Sequence, residues 1–130
     1  MRQVVTAPDA PKAMGAYSPA IKAGNLLFIS GQIPVDPATG NLIQGEIGEQ
    51  ADQVMRNLTA LLRAAGASFT NVVRTTVYLA DMNDFDAYNA IYASHFPDVK
   101  PARTTVQSGL GQGIKIEIDA IAKIPYSGKE

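Results

Sequence analysis

Apolar positions recur along this 130-residue chain with two different periods, and the changes of period mark its elements. Arg2 to Thr6 reads as a short strand. Pro8, Pro11, Gly15 and Pro19 then impose a loop that carries Tyr17 and Ser18. Leu26-Leu27-Phe28-Ile29 is a continuous apolar run, which predicts a strand buried on both faces and ending at Ser30-Gly31. Asp36-Pro37 and Gly40 bracket a turn. Ala51, Val54, Met55, Leu58, Leu61, Leu62 and Ala65 repeat at i, i+3, i+4 and i+7 and predict a helix stopped by Gly66. Val72 to Leu79 alternates, with Val73, Thr75, Val77 and Leu79 expected on one face of a strand. A second helix is predicted with Asn83 as N-cap, Asp84 and Asp86 in its first turn, and Phe85, Tyr88 and Tyr92 as its apolar stripe. Pro97 lies just beyond it. Strands are expected over Ala102–Gln107 and Ile114–Ile124, and Pro125–Glu130 reads as a frayed tail.

The order strands, helix, strand, helix, strands predicts an α+β fold: one domain over 1–130, with a single mixed sheet and both helices on one face. Alternation assigns the other face Arg74, Thr76, Tyr78, Arg103, Thr105, Lys115, Glu117 and Asp119. Two helices are too few to cover both faces. Other subunits are therefore expected on the second face, where Arg103 and Glu117 would meet as partners in one site.

Composition narrows the function classes. The chain is 46% hydrophobic and 18% charged with a net charge of −1, which fits a soluble globular protein and gives no electrostatic support to nucleic-acid binding. No apolar run approaches the roughly 20 residues of a membrane span. No secretory signal follows Met1, so a cytoplasmic protein is expected. The absence of cysteine excludes disulfides, thiol nucleophiles and thiolate metal sites. His95 is the only histidine, and its place near the end of the second helix suggests a dipole or capping role rather than a triad or a metal site.

Pro101-Ala102-Arg103-Thr104-Thr105 and Ile116-Glu117-Ile118 carry the main candidate chemistry. A guanidinium offers a rigid fork for a carboxylate, and a glutamate can hold water or shuttle a proton. Ser30 lacks the flanks of a nucleophile elbow and reads as a strand-end serine donating a hydrogen bond. Gly109-Leu110-Gly111-Gln112-Gly113 precedes a strand rather than a helix, so it reads as a flexible connection and not a phosphate loop. Asp81, Asp84 and Asp86 lack calcium-loop spacing. From chemistry alone, Arg103, Glu117, Tyr17 and Ser30 fit a solvated face as well as a site.

Several motifs in order decide between these. Gly15-Ala16-Tyr17-Ser18, Ile29-Ser30-Gly31-Gln32-Ile33-Pro34, Val73-Arg74-Thr75-Thr76-Val77-Tyr78-Leu79, Met82-Asn83-Asp84-Phe85, Asn89-Ala90-Ile91-Tyr92, Pro101-Ala102-Arg103 and Ile116-Glu117-Ile118-Asp119-Ala120 resemble the reactive imine deaminase family, RidA/YjgF, over nearly the whole chain. The resemblance implies a chorismate-mutase-like fold, a homotrimer and a site in each cleft between subunits. It implies hydrolysis of 2-aminoacrylate and 2-imino acids to 2-oxo acids and ammonia, with no metal, no organic cofactor and no nucleic-acid or membrane partner. By matching position, Arg103 would hold the substrate carboxylate and Glu117 would activate water. Tyr17, Ser30, Gly31 and Asn89 would line the pocket, and Thr105 would offer its backbone near the imine nitrogen. Two departures stand out: Thr105 replaces a common cysteine, and Ser108–Gly113 replaces a Leu-Pro turn. The rival readings are a non-catalytic binding module for small 2-oxo or amino acids, and a ribonuclease or translation inhibitor.

Overall fold

The computed structural model describes residues 1–125; the tail beyond Pro125 that reads as frayed lies outside the described residues. The elements are β1 (Arg2–Val5), β2 (Ala20–Ala23), β3 (Leu26–Gln32), β4 (Val35–Asp36), β5 (Asn41–Leu42), α1 (Ile47–Ala64), β6 (Val72–Leu79), α2 (Phe85–Ser94), β7 (Ala102–Gln107) and β8 (Ile116–Lys123). Six strands form one sheet in the order β1-β2-β3-β8-β6-β7, and β4-β5 is a separate small hairpin. The β6–β7 pair is parallel and the other pairs of the large sheet are antiparallel, so the sheet is mixed. A parallel pair needs a crossover, and α2 supplies it.

Both helices pack on one face, as the pattern predicts. The apolar stripe of α1 (Val54, Met55, Leu58, Leu61 and Leu62) is buried against Leu27, Ile29, Val77, Leu79, Ile116 and Ile118 of the sheet. The helix starts at Ile47, a turn earlier than its apolar repeat suggests. The backbone N–H of Glu46 donates to Glu49 Oε1 at 2.9 Å and closes that end, and Gly66 takes φ +77° just past the other.

Three expectations need correction. Val73 is exposed and Val72 is buried, because the β6–β8 register shifts between Val72 and Arg74 and inverts the alternation there. Phe28 is 41% exposed, so β3 is buried on one face only. The second helix begins at Phe85 after a short 3₁₀ turn whose cap is Asp81, with its Oδ1 accepting from Asn83 N–H at 2.9 Å. His95 is the C-cap residue of the second helix, as its position suggests; its ring packs 5.0 Å from Phe69, and burial lowers its pKa below the usual imidazole range despite Asp52. The strand β2 escapes a reading by period because it has only four residues, although Gly24-Asn25 before β3 is a hairpin signal.

Two buried amides of α1 pin the loops at the end of the sheet. Asn57 donates to the carbonyls of Ile33 (3.1 Å) and Val35 (3.0 Å). Gln50 donates to the carbonyls of Ile43 (3.0 Å) and Gly113 (2.8 Å) and accepts from Lys115 N–H at 2.8 Å. The glycine-rich Ser108–Gly113 stretch is thus tied to the core at its far end rather than free. Gln50→Leu removes the buried amide that partners three backbone groups and should destabilise the protein by about 3 kcal/mol, read as a lower urea midpoint at unchanged slope.

Candidate active site

The residues with candidate chemistry fall into two groups on opposite faces of the sheet. Pairing fixes the faces: Thr75 of β6 lies opposite Arg103 of β7 and Ala120 of β8, whereas Tyr78 lies opposite Glu117. Residues paired across a ladder share a face and successive residues alternate. Arg103 and Thr105 therefore face the helices, and Glu117 faces away from them. This overturns the expectation that Arg103 and Glu117 share a face. Alternation holds from Arg74 to Leu79 of β6 and along β8, but it carries no information about the phase between strands.

On the helix side, Arg103 is half-buried on the edge strand β7. Its Nη1 donates to Asn89 Oδ1 at 2.7 Å. Its guanidinium carbon lies 4.9 Å from the ring centroid of Tyr92, 5.4 Å from Phe85 and 5.6 Å from Tyr88. Among the described residues no carboxylate lies within ion-pair distance of it; the one ion pair is Arg56–Asp52. The Thr105 hydroxyl shares a hydrogen bond of 2.8 Å with the Tyr88 hydroxyl, and the Thr75 hydroxyl one of 2.7 Å with Tyr92. Burial raises the pKa of both tyrosines, against the opposing effect of Arg103, so both stay neutral phenols.

On the open side, Glu117 lies in a concavity of ≈ 930 Å³ with Tyr17, Phe28, Ser30, Gly31 and Ile121. The β3–β8 register slips between Ile29 and Gln32, which bulges Ser30-Gly31 toward Glu117. The Glu117 side chain lies directly against Gly31, and a Cβ there would sit 2.9 Å from Glu117 Cδ, so any larger residue would push the Glu117 carboxyl from its place. The Ser30 hydroxyl donates to the Ser18 carbonyl at 2.7 Å, as expected of a strand-end serine, and this ties the 17–18 loop to the bulge. Tyr17 is half-exposed, its hydroxyl accepting from Met14 N–H at 3.1 Å. Burial first, and the Asp119 carboxylate second, raise the Glu117 pKa above the usual carboxylate range. Asp119 accepts from the Tyr78 hydroxyl at 3.0 Å.

The structure thus gathers Tyr17, Ser30, Gly31 and Glu117 in one place and Asn89, Arg103 and Thr105 in another. Sequence reasoning missed Tyr88 and Tyr92 as neighbours of Arg103, because their helical spacing marks them only as core. It also missed Asp119 as the charge that acts on Glu117. Period 2 from Glu117 was the signal available.

A model of the family described as Endoribonuclease L-PSP matches residues 7–124. The chain belongs to this family, the RidA/YjgF proteins. A RutC family protein of Pyrococcus horikoshii is 52% identical over 94% of this chain and 98% of its own length. A 2-iminobutanoate/2-iminopropanoate deaminase of Rattus norvegicus is 47% identical over 94% of this chain and 90% of its own. Among solved structures, a putative endoribonuclease of Thermotoga maritima superposes with a TM-score of 0.92 at 44% identity, covering 96% of this chain and 99% of its own. E. coli TdcF with bound serine superposes with a TM-score of 0.89 at 35% identity, covering 95% and 99%. The α+β fold of this RidA-family chain is that of its relatives. Among the described residues no helix is long and apolar enough to cross a membrane.

The raised pKa of Glu117 has a consequence for stability. The folded protein holds that proton more tightly than the unfolded chain, so stability contributed by Glu117 falls as pH rises from the ordinary carboxylate range through the folded value. Glu117→Gln removes this loss. Its melting temperature relative to wild type should rise between acidic and neutral pH, as followed by calorimetry across that range. Asp119→Asn should shift the Glu117 titration, read by carboxyl-carbon NMR, part of the way down toward the ordinary range, because the larger cause, burial, remains.

Proposed function

We propose that this protein hydrolyses 2-aminoacrylate and related 2-imino acids to 2-oxo acids and ammonia, in clefts between the protomers of a cytosolic homotrimer. The observation that carries the reading is the Arg103 guanidinium, half-buried beside Asn89 and three aromatic rings with no carboxylate of its own among the described residues. Most of its donors are left for a ligand carboxylate, which a planar fork binds bidentately. Two relatives support the same ligand class: one is a 2-iminobutanoate/2-iminopropanoate deaminase and another was solved with serine bound.

Because Arg103 and Glu117 occupy opposite faces of one sheet, a site that uses both needs two copies of the chain. The open face supports this. Val4, Ile21, Phe28 and Ile121 form one cross-strand row on it, with Val4 and Phe28 well exposed. In the proposed cleft, Arg103 of one protomer, on its edge strand, pins the substrate carboxylate over the open face of the next. Asn89 braces the guanidinium, and the Thr105 backbone lies near the imine nitrogen. Tyr17, Ser30 and Gly31 line the side that carries Glu117.

The chemistry is balanced without an added reagent. Water adds to the imine carbon, its protons pass to nitrogen, the carbon–nitrogen bond breaks, and a carbonyl and ammonia remain. Glu117 takes a proton from the water and returns it to the departing nitrogen. A carboxyl group whose pKa is raised exchanges protons more readily near neutrality than an ordinary one. Positioning and proton transfer are sufficient for so reactive a substrate.

Release of 2-oxo acid from imines generated in situ by an amino-acid oxidase tests the reading. Arg103→Ala should abolish useful turnover with the fold intact, a loss of a few kcal/mol in transition-state binding, and Arg103→Lys should also be poor. Glu117→Gln should lower kcat sharply while calorimetric binding of a stable 2-oxo acid is kept or improved; wild-type turnover in this variant would favour a non-catalytic binding module instead. An equal mixture of Arg103→Ala and Glu117→Gln chains, reassembled together, should recover about a quarter of wild-type activity by random assortment around a closed ring. No recovery, or a monomer by sedimentation equilibrium, would sink the shared cleft.

A further inference from the structure

Arg103 poses a physical problem: a long, rotamer-rich cation held in one place without an anion. A carboxylate in contact would fix it but would also compete with any ligand carboxylate for the same fork. What the chain provides instead is a wall of neutral rings. The guanidinium carbon lies nearest to Tyr92, at 4.9 Å, with Phe85 and Tyr88 next. Such contacts attract the cation through the ring quadrupole and leave its charge uncancelled.

The rings are themselves fixed. Tyr88 is 0% exposed, Tyr92 5% and Thr75 2%. The Tyr92 hydroxyl is bonded to Thr75 Oγ1 on β6, and the Tyr88 hydroxyl to Thr105 Oγ1 on β7. Thr75 is the cross-strand neighbour of Arg103 itself. The edge-on stack Phe85–Tyr88–Tyr92 has centroid separations of 5.4 and 6.0 Å, so the rings brace each other along α2.

We infer that Tyr92, with Phe85 beside it, is a positioning residue that clamps the Arg103 guanidinium in its ligand-ready orientation, and that the buried Tyr92–Thr75 hydrogen bond locks this clamp to the sheet. The inference rests on the reading of Arg103 as the carboxylate holder. Its physical content is preorganisation: the arginine is ordered before the ligand arrives, so less ordering is left to oppose binding. Asn89 supplies the in-plane contact and the rings supply the wall.

The test compares 2-oxobutanoate with 2-oxobutanamide, the same skeleton without the negative charge, by calorimetric titration. Wild type should prefer the acid, and Arg103→Lys should reduce that preference. Tyr92→Leu should weaken acid binding about tenfold and leave amide binding unchanged. Phe85→Leu, at a half-buried site where folding is safe, should act in the same direction, and Tyr92→Phe, which keeps the ring, should lose less than Tyr92→Leu. Nitrogen NMR of the ligand-free protein should show slow rotation about the Arg103 Cζ–Nε bond in wild type and faster rotation in Phe85→Leu. Equal loss for acid and amide, or an unchanged preference in both ring variants, overturns the clamp while leaving the role of Arg103 intact. No preference in wild type, with no effect of Arg103→Lys, overturns both together.

Discussion

The pairing of β6 with β7 on one side and β8 on the other is the constraint on which the rest depends. The parallel β6–β7 pair forces the chain across the sheet through α2, which brings Phe85, Tyr88, Asn89 and Tyr92 over the edge strand that carries Arg103. The antiparallel β6–β8 pair sets Tyr78 against Glu117 and so turns Glu117 to the other face. One ladder register therefore decides which functional side chains meet within a protomer and which are kept apart by the thickness of the sheet.

The two faces are finished differently. The helix face is a continuous apolar core in which each buried polar group has a partner: Gln50 and Asn57 hold loop carbonyls, and Thr75 and Thr105 hold tyrosine hydroxyls. The open face carries an apolar row, a bulge at Ser30-Gly31 and three ionisable groups close together: Tyr78, Glu117 and Asp119. Burial, and then the nearby Asp119 carboxylate, raise the cost of ionising Glu117, a cost that a purely structural face has no reason to keep. The half-buried cation on one face and the carboxyl of raised pKa on the other complement each other, which is the physical basis for proposing a shared cleft.

Glycine at 31 links fold and chemistry most tightly. The bulge moves the backbone toward β8, and the missing Cβ lets the Glu117 carboxyl lie against it, partly out of water. The same contact that fills the bulge therefore raises the pKa of the group that would do the proton work.

The chain alone determined its longer elements and their order. The stripe from Val54 to Leu62, the alternation from Thr75 to Leu79 and the Ala102–Gln107 strand match the structure because periodicity is a local property. The motifs around Tyr17, Ser30, Arg103 and Glu117 likewise identified the family. The faces were a different matter. Val73 misled because a bulge inverts the alternation at Val72, and Phe28 because an apolar run does not say which side lacks a cover. Alternation read strand by strand puts Arg103 and Glu117 on one face, whereas the phase of one strand against the next is set by hydrogen-bond register between segments distant in sequence. Tyr88 and Tyr92 read as core and are core, yet only the crossover of α2 onto β7 puts their rings against a guanidinium. Local pattern fixes what each segment is; which side chains meet is decided by pairing and packing, which no window of the sequence contains.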